Sequence, residues 1–318
     1  MVTPQFNSAM ARFRADFCKK IRAFFEKRSV VEIETPVLSR GISCDCHIDV
    51  FSTRYFPDGT AEGLPFYLQT SPEFHMKRLL AGGFPDIFQI SRVFRNGEKG
   101  RLHNPEFTML EWYRRAYTLE QLMDEVAALC DELTGSFPVV KKPYRQAFQE
   151  ATGINPVTTS YDDLLDYCRS RNLSPPPLPS ITDALQFLMA TCVEPFLPED
   201  TYVFLYHFPA AQALLARLNP RDTRIAQRFE VYFNGIELGN GYEELVDWRE
   251  TMHRMHEENK KRSQARKQAL PVDEQFINSL RKGIGPCAGV AMGVDRMIML
   301  SAGASSVQDV IAFPWDCC

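Results

Sequence analysis

SRVFRNGEKGRLHNPEFTMLEWY, residues Ser91 to Tyr113, is the stretch on which the reading of this chain turns. An apolar, strand-like segment from Ile87 to Phe94 runs into Arg95. A polar, glycine-bearing loop follows, Asn96 to Gly100, and a second run closes on Glu111 and Tyr113. The pattern predicts two strands around a donor-rich turn. Arg95 then stands at the rigid edge of a hairpin, where its planar fork can grip a phosphate or a carboxylate from two directions. The bland alternative is an ordinary surface hairpin with an incidental arginine.

A second element weighs against that alternative. Gly289 to Arg296 reads GVAMGVDR and leads into an apolar helical stretch, Met297 to Leu300. Glycines at 289 and 293 let backbone approach a ligand closely. Alone this is a weak pattern, equally a tightly packed strand–helix join. Together the two stretches resemble motifs 2 and 3 of the class II aminoacyl-tRNA synthetases, with VVEIETPVL, Val30 to Leu38, as motif 1. HNPEFTMLEWY (103–113), TSPEFHMKRLL (70–80) and RFEVYFNGIELGNGYEEL (228–245) are similar to the lysine branch of that class. The resemblance covers about residues 15 to 313 and implies an α+β fold: a class II catalytic core, an antiparallel sheet flanked by helices.

The remainder of the sequence limits the function. Its 318 residues, 45% hydrophobic, suffice for a full core. A net charge of −4 offers no overall basic field for nucleic acid. The cluster Lys260, Lys261, Arg262, Arg266 and Lys267 reads as a solvated helix face. Nine cysteines, an odd number without a spacing framework, fit a reduced cytoplasm, and no signal peptide or long apolar run points to a membrane. Cys44, Cys46 and His47 crowd together without the second ligand pair that zinc needs. Residues 1–318 are expected to form a single catalytic domain with a small proline-broken insertion at about 141–199. Only 29 residues precede Val30. They read as one amphipathic helix, Ala9 to Lys27, and leave no room for the N-terminal anticodon-binding OB barrel of a lysyl-tRNA synthetase.

Barrel-less lysine-branch chains of this size resemble the synthetase paralogues that ligate lysine to elongation factor P. That resemblance implies an AMP-forming ligase that activates lysine or β-lysine with ATP and Mg²⁺. It also implies elongation factor P as protein acceptor, a homodimer closed by motif 1, whose Val30, Val31, Ile33, Val37 and Leu38 are expected to supply one apolar strand, and no tRNA anticodon recognition. A minimal lysyl-tRNA synthetase and a catalytically silent regulatory paralogue are the alternatives.

Activation joins two anions, a carboxylate and the α-phosphate of ATP, so cationic forks and a divalent metal are the expected equipment. By resemblance, Arg95 bridges those two groups and Arg296 takes the γ-phosphate end. Asn96, Gly97, Leu238 and Gly293 belong to the nucleotide site, and adenine lies between Phe107 and Arg296 with Asn104 beside it. Metal ligation needs hard oxygens, for which Glu237 and Glu244, seven apart across a glycine-rich turn, are the candidates; the alternative is a pair of surface acids. For the amino acid, Ser71, Pro72 and Glu73 face one amino group, Glu111, Tyr113 and Glu244 the distal ammonium, and Asn240 the carboxylate. Ala291 stands where lysyl-tRNA synthetases carry glycine. Its methyl is expected to crowd the α-carbon and favour β-lysine over α-lysine. One departure concerns motif 2: Gly97 replaces the usual acid after Arg95, with Glu98 one place later.

Overall fold

The computed structural model describes residues 6–318. The N-terminal part holds α1 (Ser8–Glu26), β1 (Val31–Glu32), β2 (Leu38–Ser39), β3 (Ser52–Tyr55), β4 (Leu64–Leu68), α2 (Glu73–Ala81), β5 (Ile87–Phe94), β6 (Glu106–Arg115) and α3 (Leu119–Thr134). Then come β7 (Val139–Pro143), α4 (Tyr144–Thr152), α5 (Tyr161–Ser170), α6 (Ile181–Leu188) and β8 (Tyr202–Pro209). The C-terminal part adds β9 (Leu218–Asn219), β10 (Asp222–Phe233), β11 (Ile236–Glu243), α7 (Trp248–Gln264), α8 (Glu274–Lys282), β12 (Cys287–Gly293) and α9 (Val294–Ser301).

Among the described residues these strands form a nine-stranded sheet ordered β1-β5-β6-β12-β11-β10-β8-β7, with β9 beside β10, and a small sheet β2-β4-β3. The run from β5 to β8 is antiparallel, as the sequence predicts. The two edges are parallel: β1 on β5 and β7 on β8.

Strand alternation divides the molecule into two faces. Phe88, Leu110, Trp112, Val290, Met292, Phe229 and Val231 point to one side. They join Phe17, Ile21, Phe24 and Phe25 of α1 and the apolar stripes of α3 and α9. Phe25 stacks on Phe88 at 4.5 Å and meets the Trp112 ring edge-on at 5.2 Å. Helix α1 starts where it does because the Asn7 side chain accepts from Ala9 and Met10 N–H. In α3 a capping box of Thr118 and Gln121 does the same.

The other face carries two separate apolar clusters. Ile87 and Tyr113 pack with α2, α7 and α8. Tyr144, Phe148, Leu164, Leu185 and Leu188 pack on Val203, Leu205 and Tyr232. The second cluster is the segment predicted as an insertion, whose first strand extends the main sheet at its edge. A cleft lies on the same face, with Thr182 and Gln186 of α6 in its wall.

Two expectations are corrected. Motif 1 does not form one strand from Val30 to Leu38: only Val31–Glu32 and Leu38–Ser39 pair, and Pro36, which has no N–H to give a ladder, lies between them. The basic cluster on α7 is not a solvated face throughout. Arg262 is buried and donates to the carbonyls of Asp45 and Ile48. Lys260 and Lys261 pair with Glu257 and Glu258, and Lys267 with Asp49.

Candidate active site

Strand β6 supplies the site floor because its sequence alternates. Phe107, Met109, Glu111 and Tyr113 face the cleft while Leu110 and Trp112 go into the core. Across the sheet, side chains at paired positions share a face, so the register gives rows. Gln89, Glu111, Ala291, Asn240 and Glu230 form one. Tyr113, Gly289, Tyr242 and Arg228 form the next. The second row needs glycine at 289. A Cβ there would lie 2.3 Å from the Tyr113 ring and 2.7 Å from Glu244 Oε1. The cleft so defined has a volume of about 640 Å³.

One end is acidic and buried. Ser71 Oγ and Tyr113 OH each donate to Glu111, both at 2.7 Å. Ser71 Oγ also accepts from Glu73 N–H at 3.0 Å, which fixes the first turn of α2. Burial, aided by the Glu73 charge, pushes the Glu111 carboxyl up to about 7. Glu244 is also pushed up by burial, and Lys77 pulls it back. Nothing in the sequence singles out Lys77, yet its buried ammonium stands 2.5 Å from both Glu73 and Glu244. Pro72 is the residue ahead of α2, and Ala291 sits half-buried between Glu111 and Asn240 in the floor.

The other end is cationic. Arg296 is held by three contacts: Nε to Leu102 O at 3.1 Å, Nη1 to Glu237 O at 2.7 Å, and Nη2 at 2.7 Å from His103 Nε2. Burial and the adjacent Arg296 charge lower the His103 pKa, so a neutral imidazole accepts that hydrogen bond. The group facing the Phe107 ring is Arg95, at 5.2 Å, whereas Arg296 turns toward Glu237. Arg95 Nε is buried without a protein partner among the described residues. The amide of Asn104 is committed to structure, donating to Glu106 O at 2.7 Å and accepting from Trp315 N–H at 2.9 Å. Asn96 is bridged through its N–H to Asp49 O. Gly97 has φ +82°, and a Cβ at this position would meet nothing within 4 Å, so conformation and not space selects glycine. Glu98 takes up the pairing with Arg95, 3.8 Å away. Leu238 and Gly293 line the cleft between the two ends.

Glu237 and Glu244 do not come together as a metal pair. Seven strand residues separate their Cα atoms by roughly 20 Å, and Glu244 belongs to the acidic end with Lys77. The odd spacing still puts both on the cleft face because β11 carries a bulge: Val231 pairs with Gly239 but Tyr232 with Glu237, leaving Leu238 extra. The acid near Glu237 is Glu230. Burial and then the Glu230 charge raise the Glu237 pKa. Glu194 lies close as well, pushed up to about 7 by burial and by Glu230 and Glu237. Glu230 is itself oriented by Arg228 and by Tyr232 OH. Glu237, whose carboxylate is open to the cleft, and Glu230, buried beside it and steadied by Arg228 and Tyr232, offer hard oxygens of the kind a divalent cation takes. Cys44, Cys46 and His47 diverge: Cys44 turns toward Leu270 O, Cys46 lies beside Glu258, and His47 faces Asp183. They do not form a ligand set.

Comparison with known proteins agrees with this arrangement. Residues 2–316 match the family model for tRNA synthetases class II (D, K and N). The chain therefore belongs to the class II tRNA synthetase family. A protein of Hamiltonella defensa subsp. Acyrthosiphon pisum named elongation factor P--(R)-beta-lysine ligase is 44% identical over 95% of this chain and 93% of its own. Proteins of the same name from Salmonella paratyphi B and Salmonella enteritidis are 44% identical over 95% of this chain and 94% of theirs.

The raised Glu111 pKa has a consequence for stability. The folded state holds this proton more tightly than the unfolded chain, so the contribution is favourable below the usual carboxylate pKa near 4.5 and is lost as pH rises to about 7. The loss is on the order of 3 kcal/mol. Urea unfolding at about pH 5 and about pH 8 is expected to show that Glu111→Gln loses less stability than the parent across this interval. Parallel losses in the two proteins would contradict the assignment.

Proposed function

We propose that the protein activates (R)-β-lysine with ATP and transfers it to the ε-amino group of a lysine on elongation factor P. The observation that carries this reading is one cleft with a buried three-carboxylate end and a two-arginine end, on a chain 44% identical to ligases of that name. A diamino acid satisfies buried acids that an apolar amino acid would leave uncompensated. Glu111, Tyr113 and Glu244 hold its distal ammonium, Glu73 the other amino group, and Asn240 and Arg95 its carboxylate. The carboxylate oxygen attacks the α-phosphorus in line and pyrophosphate leaves. Arg95 neutralises charge at the reacting phosphate and Arg296 at the γ-phosphate end. The acceptor amine, once deprotonated, then attacks the acyl carbon of the adenylate, forming the amide and releasing AMP.

Mg²⁺ is proposed at Glu237 and Glu230, replacing the expected pair. When bound it would neutralise phosphate charge; Arg228 and Tyr232 orient Glu230 for that contact. The nine cysteines, all reduced, fit work in the cytoplasm, and no described helix is long and apolar enough to cross a membrane. Incubation with ATP, β-lysine and elongation factor P is expected to add one lysyl mass to a single lysine of the acceptor. Arg296→Ala should slow this by on the order of 10²-fold. Efficient charging of tRNA without any mass shift on the factor would redirect the reading to a minimal lysyl-tRNA synthetase.

The Ala291 methyl, in the pocket floor between Glu111 and Asn240, supports preference for the β-isomer. Ala291→Gly is expected to move kcat/KM toward α-lysine by roughly 10- to 200-fold, the value of one methyl group in a close-fitting pocket. An unchanged isomer ratio in pyrophosphate exchange would refute the steric argument alone.

We further propose a homodimer built on motif 1. Of the apolar residues that motif 1 is expected to bring to the interface, Val30 is buried and Ile33 packs into the core beside α2 and α8, which leaves Val31, Val37 and Leu38, 44%, 39% and 46% exposed in the single chain, for an isologous contact. Sedimentation at micromolar concentration should give twice the 36.4 kDa chain mass; a monomer alone would exclude the interface.

A further inference from the structure

Lys77 has no part in the function argued above, yet it is the most deeply enclosed cation at the amino-acid end of the cleft. It is 1% exposed, at the second turn of α2. Glu73 lies one helical turn before it on the same helix, at the i,i+4 spacing that brings side chains together. Glu244 reaches it from beyond the end of β11. The Tyr113 ring stands 5.9 Å away on a third element. A single ammonium group thus ties a helix carboxylate to a sheet carboxylate. Burial alone would lower its pKa, but the Glu244 and Glu73 charges outweigh burial and raise it, so it stays protonated.

The charge count at this end follows. Glu73, Glu111 and Glu244 supply three carboxylates, and Lys77 cancels one. Of the other charged groups lining this part of the cleft, Arg228 pairs with Glu230, Arg254 with Glu250 and Lys261 with Glu258, while Asp45, which makes no ion pair among the described residues, stands by Lys261 outside the Lys77 contacts. The remaining titratable groups facing the cluster, Tyr113, Tyr242 and Cys287, are all shifted upward by burial and stay neutral. Fully ionised, the set carries an excess of two negative charges; because burial raises both Glu111 and Glu244, that excess is realised when the ammonium groups of a ligand draw off their protons.

We propose that Lys77 is a specificity-determining positioning residue: it clamps Glu73 to Glu244 and sets the pocket's charge excess at two, matching an amino acid with two ammonium groups. The inference rests on the proposed function and deepens it. Without the clamp, three carboxylates would share a buried site. One of them would take up a proton or swing away, because buried uncompensated charge of this kind is not sustained.

Lys77→Met keeps the length and removes the charge. In lysine- and β-lysine-dependent ATP–pyrophosphate exchange, it is expected to raise KM for the amino acid by about 10-fold or more. KM for ATP should stay within about 3-fold, and the amino-acid defect should deepen from about pH 8 to about pH 6 as the unclamped acids protonate. Lys77→Arg, which restores the charge, should recover part of the loss. A cooperatively folded Lys77→Met protein with unchanged amino-acid KM at both pH values would overturn the proposal. So would equal rises in KM for ATP and amino acid, the mark of general damage.

Should the methionine variant not fold, the parent protein supplies the test. 1,5-Diaminopentane should inhibit exchange at least about 10-fold more strongly than 1-aminopentane if two excess charges are present, and equal inhibition would overturn the proposal. A parent protein with no lysine-dependent exchange would instead sink the proposed function itself.

Discussion

The pairing of β12 between β6 and β11 is the constraint on which the site depends. Through that one strand, Gly289 and Ala291 come to lie beside Tyr113 and Glu111 on one side and Tyr242 and Asn240 on the other. The same strand ends at Gly293, and α9 then carries Asp295 and Arg296. Asp295 is buried and accepts from Thr108 N–H at 2.7 Å. It also pairs with Arg14 of α1 at 2.5 Å, while Arg14 donates to Thr108 Oγ. The arginine at the nucleotide end is therefore positioned by a network that joins the first helix, the central strand and the last helix. A site on rigid, mutually braced elements loses little order when its ligands arrive.

Two physical regimes share one cleft. At the acidic end, charge is buried deeply enough to be costly, and its arrangement favours a cationic ligand by leaving carboxylates undercompensated. At the other end the groups are less deeply buried: Arg296 is held by carbonyl oxygens and a neutral imidazole, and the acids nearest the two arginines, Glu98 at 3.8 Å from Arg95 and Glu237 at 4.0 Å from Arg296, offset their positive charge only weakly. On the proposed function, an amino acid with its carboxylate toward Arg95 would span the gradient between them. Recognition and activation would then be consequences of the same field, acting on opposite ends of one substrate.

Much of this was legible in the sequence. The two apolar runs around a glycine-bearing loop predicted the hairpin, the resemblance named Phe107, Glu111 and Tyr113 on its cleft face, and the helix predicted over Ala9 to Lys27 is α1, which buries Phe17, Ile21, Phe24 and Phe25. What escaped depended on contacts between distant segments or on local irregularity. Glu230 sits in RFEVYF as an ordinary polar residue of an alternating strand, and only the pairing of β10 with β11 brings it near Glu237. The Leu238 bulge makes a seven-residue separation look like a shared ligand pair when the two acids serve opposite ends. Lys77, followed by Arg78, reads as the polar face of a helix until Glu244 arrives from elsewhere. Val30 to Leu38 reads as one strand, yet only its two ends pair, on either side of Pro36.

The order of the sheet also governs when the molecule can exist. Strand β12 is made about 170 residues after β6, its partner. Until then β6 and β11 each present an open hydrogen-bonding edge, flanked by apolar surface that α9 has not yet covered. Such a nascent chain has high contact order and exposed strand edges, the conditions under which chains wait for chaperones or pair with the wrong neighbour. It also has neither Arg296 nor a floor beneath the acidic pocket. Insertion of β12 is therefore a single closing step in which the core is sealed and both ends of the cleft are completed together.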